Sequence, residues 1–129
     1  MSNAEPVIAT TAEEWPPFGL TEAPLPGGLV LAVSGELDLA TAPDLRERLG
    51  AAVGSGTTRI VVDLRDVTFM DSVGLAAILH ARSRLSEHGR LALVVAPDSY
   101  ARLVLEIAGM PRALAIFADG DAAIAHVRG

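Results

Sequence analysis

The chain has 129 residues, half of them hydrophobic and only 4% aromatic, which suits one domain with an aliphatic core. Cysteine is absent, which excludes disulfides, thiol catalysis and cysteine-ligated metal centres and fits a reducing cytoplasm. The net charge of −6 argues against a general nucleic-acid binder, which is normally basic, and no apolar run is long enough to span a bilayer.

Residues 1–15 carry Glu5, Glu13, Glu14, Pro6 and Trp15 and no basic residue. They read as a poorly ordered acidic extension ahead of a single domain over 16–129. Phe18–Glu22 is a short strand candidate, and the Pro- and Gly-containing stretch Ala23–Gly28 reads as a turn. Leu29–Val33 is a continuous apolar run of strand length. Pro43 suits the first turn of a helix capped by Thr41. Leu45, Leu49, Ala52 and Val53 then recur at helical spacing up to Gly54-Ser55-Gly56.

Ile60–Leu64 is predicted to be a buried strand. Residues 72–88 read as a second helix, with Leu75, Ile78, Leu79 and Leu85 inward and Gly89 at its end. Leu91–Val95 is the next buried strand. Asp98 is the expected cap of a third helix stopping at Gly109. Ala113–Phe117 is a last short strand and 120–127 a last helix. The order β-β-α-β-α-β-α-β-α predicts an α/β fold: a mixed sheet, mostly parallel after the second strand, with helices packed on it.

Catalytic motifs are missing. His80, His88 and His126 have no metal-binding spacing, and the sequence has neither a phosphate-binding glycine loop nor a G-x-S-x-G elbow. No metal, cofactor or enzymatic activity is therefore expected. Asp63, at the end of its predicted strand, resembles a receiver-type phosphoacceptor, but that chemistry needs a lysine and the chain has none.

The informative stretch is Phe69-Met70-Asp71-Ser72-Val73-Gly74-Leu75. Asp71 and Ser72 fall at a helix start, where either side chain can cap free amides. The same position tolerates an anion, because the macrodipole leaves about half a positive charge there. A phosphate on Ser72 would add roughly −1.5 to −2 charges to the surface without requiring a change of fold. Gly74 has no side chain and permits close approach of another backbone. The second cluster is Gly35-Glu36-Leu37-Asp38, followed by Thr41-Ala42-Pro43. Both clusters lie at carboxyl ends of predicted strands, where sites in such folds gather. That placement would let Asp38 accept a hydrogen bond from the Ser72 hydroxyl, or else bind nearby amides of its own loop.

On these two motifs, and on Ile60-Val-Val-Asp-Leu64 before the second, the chain resembles the STAS-domain anti-sigma factor antagonists over roughly Phe18 to Arg128. The resemblance implies a non-enzymatic partner switch in transcription control. The unphosphorylated antagonist binds a serine-kinase anti-sigma factor and frees the sigma factor. The partner's ATP phosphorylates the antagonist and releases it, and a serine phosphatase resets the system. Carried over by position, the resemblance implies Ser72 as phosphoacceptor with Asp71, Asp38, Val73 and Gly74 beside it. It also implies Glu36, Thr41 and Leu75 as partner contacts. Val73 departs from the Ser or Thr common in the family after the acceptor and removes a second acceptor there. Direct contact with nucleic acid or membrane is not expected. The alternatives are a STAS scaffold or transporter-tail relative without an active switch, and a small serine hydrolase using Ser72 with a histidine.

Overall fold

The computed structural model describes residues 17–129. The expectations for residues 1–15, the extension and Trp15 among them, lie outside the described residues. From there the elements follow the predicted order. They are β1 (Gly19–Leu25), β2 (Gly28–Leu37), α1 (Ala42–Gly54), β3 (Arg59–Met70), α2 (Ser72–Arg84), β4 (Arg90–Val94), α3 (Tyr100–Ile107), a short 3-10 turn (Met110–Arg112), β5 (Ala115–Phe117) and α4 (Gly120–Arg128).

The five strands form one sheet in the order β1-β2-β3-β4-β5. β1 pairs antiparallel with β2, and all later neighbours are parallel. Every helix therefore starts at the carboxyl edge of the sheet and runs back to the amino edge. Leu31, Val33, Ile60, Val62, Leu64, Leu91 and Leu93 on one sheet face join the larger core, with Leu45 and Leu49 of α1, Ile78 of α2 and Leu105 of α3. On the other face Val61, Ala92 and Val94 pack with Ala123 and Val127 of α4. Coverage on both faces is why β3 and β4 read as unbroken aliphatic runs. No charged or polar residue is buried among the described residues.

Several boundaries differ from the sequence reading. The turn expected over Ala23–Gly28 is only Pro26-Gly27, and β1 continues through Pro24 to pair Leu25 with Gly28. Pro24 is tolerated because β1 is an edge strand. β3 does not stop at Leu64 but runs to Met70. It bulges opposite Ala32–Ser34 and again opposite Gly35–Glu36, where β3 holds one extra residue each time. Asp63 is thus inside the strand, gripped by Arg65 through Nη2–Oδ2 and Nε–Oδ1 contacts of 2.7 and 3.0 Å. It is a structural ion pair, not a strand-end acceptor.

The second helix ends at Arg84, four residues short of the expected 88. Leu85 turns extended at ψ 148° and lays its side chain against the core. Ser99, not Asp98, caps α3, its hydroxyl oxygen accepting from the Arg102 N–H at 3.1 Å. Thr41 holds the cap position of α1, but its hydroxyl does not cap.

Candidate phosphoacceptor site and its neighbouring loop

The end of β3 and the start of α2 carry Asp71 and Ser72. Asp71 is the N-cap. Its Oδ1 accepts from the Val73 N–H at 2.9 Å and the Gly74 N–H at 3.1 Å, two of the amides a helix start leaves without partners. The Leu75 N–H is taken by the Asp71 carbonyl at 3.1 Å. Ser72 is the first helical residue, and it is exposed. A hydroxyl at this point is open to another protein and held on a rigid element.

The loop after β2 is locked to the same place. The Asp71 N–H donates to the Leu37 carbonyl at 3.2 Å. A Cβ on Gly74 would stand 2.7 Å from Leu37 Cγ and 2.9 Å from its carbonyl oxygen, so only glycine lets α2 approach β2 this closely. Gly35, inside β2, has the same kind of duty against the segment that enters β1. Its φ is +83°, and a Cβ there would meet the Phe18 amide nitrogen at 2.6 Å. Gly74 is thus what lets the two motifs meet, while Gly35 lets β2 pass close to the segment entering β1.

Inside the loop, Asp38 Oδ1 accepts from the Ala40 N–H at 3.0 Å and the Thr41 N–H at 3.2 Å. The Thr41 hydroxyl donates to the Glu36 carbonyl at 2.7 Å and accepts from the Asp38 N–H at 3.0 Å. This is an Asx-type turn. Asp38 therefore holds its own loop, and no hydrogen bond joins it to Ser72 among the described residues. The expected Asp38–Ser72 hydrogen bond is replaced by backbone contact through Leu37.

Among the expected partner contacts, Glu36 is exposed and Thr41 half-buried. Leu75 lies inward as its helical spacing predicts, 7% exposed in the core beside Ile78, and this corrects its implied role as a partner contact. Gly74 is also buried, whereas Val73 is 38% exposed. Leu39, which the sequence reading passed over, is 73% exposed at the tip of the Asp38 loop. Its signal was an apolar residue in a polar, well-fixed loop. Phe69 stacks on Tyr100 at the start of α3, ring centroids 5.2 Å apart. Tyr100, Leu103 and Ile107 continue outward, 45, 50 and 78% exposed. The apolar spacing of α3 is legible in the sequence, but which of its two apolar sides faces water is not.

No histidine is hydrogen-bonded to Ser72 among the described residues. His80 lies two turns along α2, His88 follows that helix's far end, and His126 is on α4. The serine-hydrolase reading has no base to support it. No cluster of metal-ligating side chains occurs among the described residues, and none of their helices is long and apolar enough to cross a membrane.

The family described as the STAS domain matches residues 21–123. The chain belongs to the STAS-domain family. The anti-sigma-F factor antagonist RsfB of Mycobacterium tuberculosis is 33% identical over 103 residues, covering 80% of this chain and 84% of that protein. The crystal structure of an anti-sigma factor antagonist from Mycobacterium paratuberculosis superposes with a TM-score of 0.80 at 27% identity, covering 88% of this chain and 96% of the other. Bacillus SpoIIAA, an anti-sigma factor antagonist, is also 27% identical. Its unphosphorylated form gives a TM-score of 0.67 over 88% of this chain and 99% of its own. Its phosphorylated form gives 0.65 over 87% and 100%.

Proposed function

We propose that this STAS domain is an anti-sigma factor antagonist, and that phosphorylation of Ser72 switches its hold on a serine-kinase anti-sigma factor. The observation that carries this reading is the exposed Ser72 hydroxyl on the first turn of α2, directly after a capping aspartate and beside a fixed acidic loop. The relatives named above support the partner class, and the two forms of SpoIIAA support a phosphorylated state.

In the transfer step, Ser72 Oγ attacks the γ-phosphorus of ATP held by the partner. The Oγ–P bond forms as the bond to the departing ADP breaks, and the hydroxyl proton passes to a base of the kinase. The Val73 and Gly74 amides already serve Asp71, and the Asp38 carboxylate already serves its own turn. A phosphate on Ser72 thus finds the Val73 and Gly74 amides engaged and the Asp71 carboxylate next to it in the chain. It stays outward as an added charge of about −1.5 to −2 and opposes the contact that the hydroxyl permitted. A serine phosphatase restores the binding form.

The test is incubation of the chain with its anti-sigma partner and ATP, read by intact-mass and peptide mass spectrometry. One phosphate on Ser72 is expected. Ser72→Ala should remain folded, bind the partner and stay bound when ATP is added, whereas Ser72→Asp should bind weakly. Stoichiometric phosphorylation of Ser72→Ala would overturn the site assignment.

A further inference from the structure

At the amino edge of the sheet, remote from Ser72, a cavity of about 380 Å³ opens between the end of α2, the start of β4 and the end of α4. Its polar lining is Arg82, Ser86, Arg90 and His126, beside the apolar side chains of Leu85 and Leu91, and no carboxylate lines it. Arg90 is oriented from behind, one Nη1–H donating to the His126 carbonyl at 3.0 Å. That leaves the rest of its guanidinium fork available.

The charge here exceeds what the fold requires. The four helices end at this edge, and their macrodipoles supply about two negative charges in all. Glu87 adds one more and faces His88 at 3.7 Å, while Glu106 in the last turn of α3 is offset by its ion pair with Arg102 at 2.9 Å. Against these stand Arg59 and Arg90, cross-strand neighbours at the strand starts, together with Arg82, Arg84 and Arg128 in the last turns of α2 and α4. A surplus of about two positive charges remains after the helix ends are compensated. Two guanidiniums and a hydroxyl around one opening suit a tetrahedral oxyanion, which arginine recognises through paired hydrogen bonds. The volume falls within the usual range for small-molecule pockets, about 300–1,000 Å³, so an organic group attached to the anion can rest on Leu85 and Leu91.

We infer that the Arg82–Arg90–Ser86 cavity is a binding site for a small organic phosphate, separate from the Ser72 surface and independent of its role. The test is titration of the isotope-labelled full chain with phenyl phosphate and, separately, inorganic phosphate at matched ionic strength. It is read from the Nε–Hε signals of the arginines. Saturable shifts confined to Arg82 and Arg90 are expected, with phenyl phosphate binding at least about tenfold tighter than inorganic phosphate because it also buries an apolar ring. Arg82→Gln and Arg90→Gln should each weaken binding about tenfold or more, with the amide spectrum confirming that each variant is folded. The Arg82 side chain makes no hydrogen bond among the described residues, so its variant tests the site even where Arg90→Gln disturbs α4. Shifts spread evenly over Arg46, Arg102 and Arg112, or an unchanged affinity in Arg82→Gln, would overturn the site. Equal affinity for the two probes would overturn the assignment to an organic ligand.

Discussion

The two edges of the sheet are chemically opposite. Where the strands end and the helices begin, the side chains are Glu36, Asp38, Asp44, Asp71, Asp98, Asp119 and Asp121, with Arg65 and Arg102 the exceptions. Where the helices end and the strands begin, they are Arg59, Arg82, Arg84, Arg90, Arg112 and Arg128, with Glu87 and Glu106 the exceptions. One topological fact produces both. Successive parallel strands make every helix run the same way, so all positive dipole ends meet at one edge and all negative ends at the other. At the carboxyl edge the acids answer a structural demand: Asp71, Asp38 and Asp119 each accept backbone amides of their own turn. A phosphate added on Ser72 meets Val73 and Gly74 amides already taken by Asp71. At the amino edge the arginines outnumber the helix ends they face, and a receptive surplus is left.

This contrast can be tested by stability measurements at both edges. The largest effect is expected for Leu37→Ala, since Leu37 is fully buried and also carries the contacts to Gly74 and Asp71. A loss of about 2–5 kcal/mol is expected in urea denaturation. Gly74→Ala should cost about 1–3 kcal/mol, because the new Cβ overlaps Leu37. Gly54→Ala, on the last residue of α1 with nothing within 4 Å of its would-be Cβ, should be neutral or stabilising by up to about 1 kcal/mol. If both glycine variants behave alike, the close approach of α2 to β2 is not what Gly74 provides. Asp71→Ala should cost about 1 kcal/mol through loss of the cap and fray the start of α2, visible as faster amide exchange at Val73 and Gly74.

The smallest effect belongs to Asp63. Partial burial alone pushes its carboxyl upward, but the Arg65 side-chain and backbone hydrogen bonds and the Arg65 charge outweigh burial and hold it below its ordinary value. The folded pKa therefore lies beneath the unfolded one of about 3.9. The pair stabilises above that value, and its contribution is lost as the pH falls through the folded pKa. Arg65 is half exposed, so the gain is under about 1 kcal/mol. Carboxyl-carbon NMR of Arg65→Met should show Asp63 titrating at higher pH than in the unsubstituted chain.

Sequence and structure divide along physical lines. The order of strands and helices, the caps at Asp71 and the position of Ser72 on a helix start were legible because they depend on neighbours within a few residues: apolar periodicity, short polar caps, glycine and proline. The length of β3 was not legible, because its bulges exist only in register with β2. The partner of Asp38 stays open in the sequence between the Ser72 hydroxyl and its own loop, and the loop wins because a carboxylate in a tight turn meets its own amides before it meets a distant hydroxyl. The inward side of Leu75 was legible from its helical spacing, whereas burial of that residue away from any partner and the exposure of Val73 beside it were decided by the packing of α2. The gathering of Arg59, Arg82 and Arg90 at one edge is likewise a consequence of topology, since residues far apart in the chain become neighbours only when parallel strands align their starts. Local order thus follows from short-range chemistry written in the chain, whereas the two charged edges and the surface around Ser72 arise from long-range contacts that no single segment encodes.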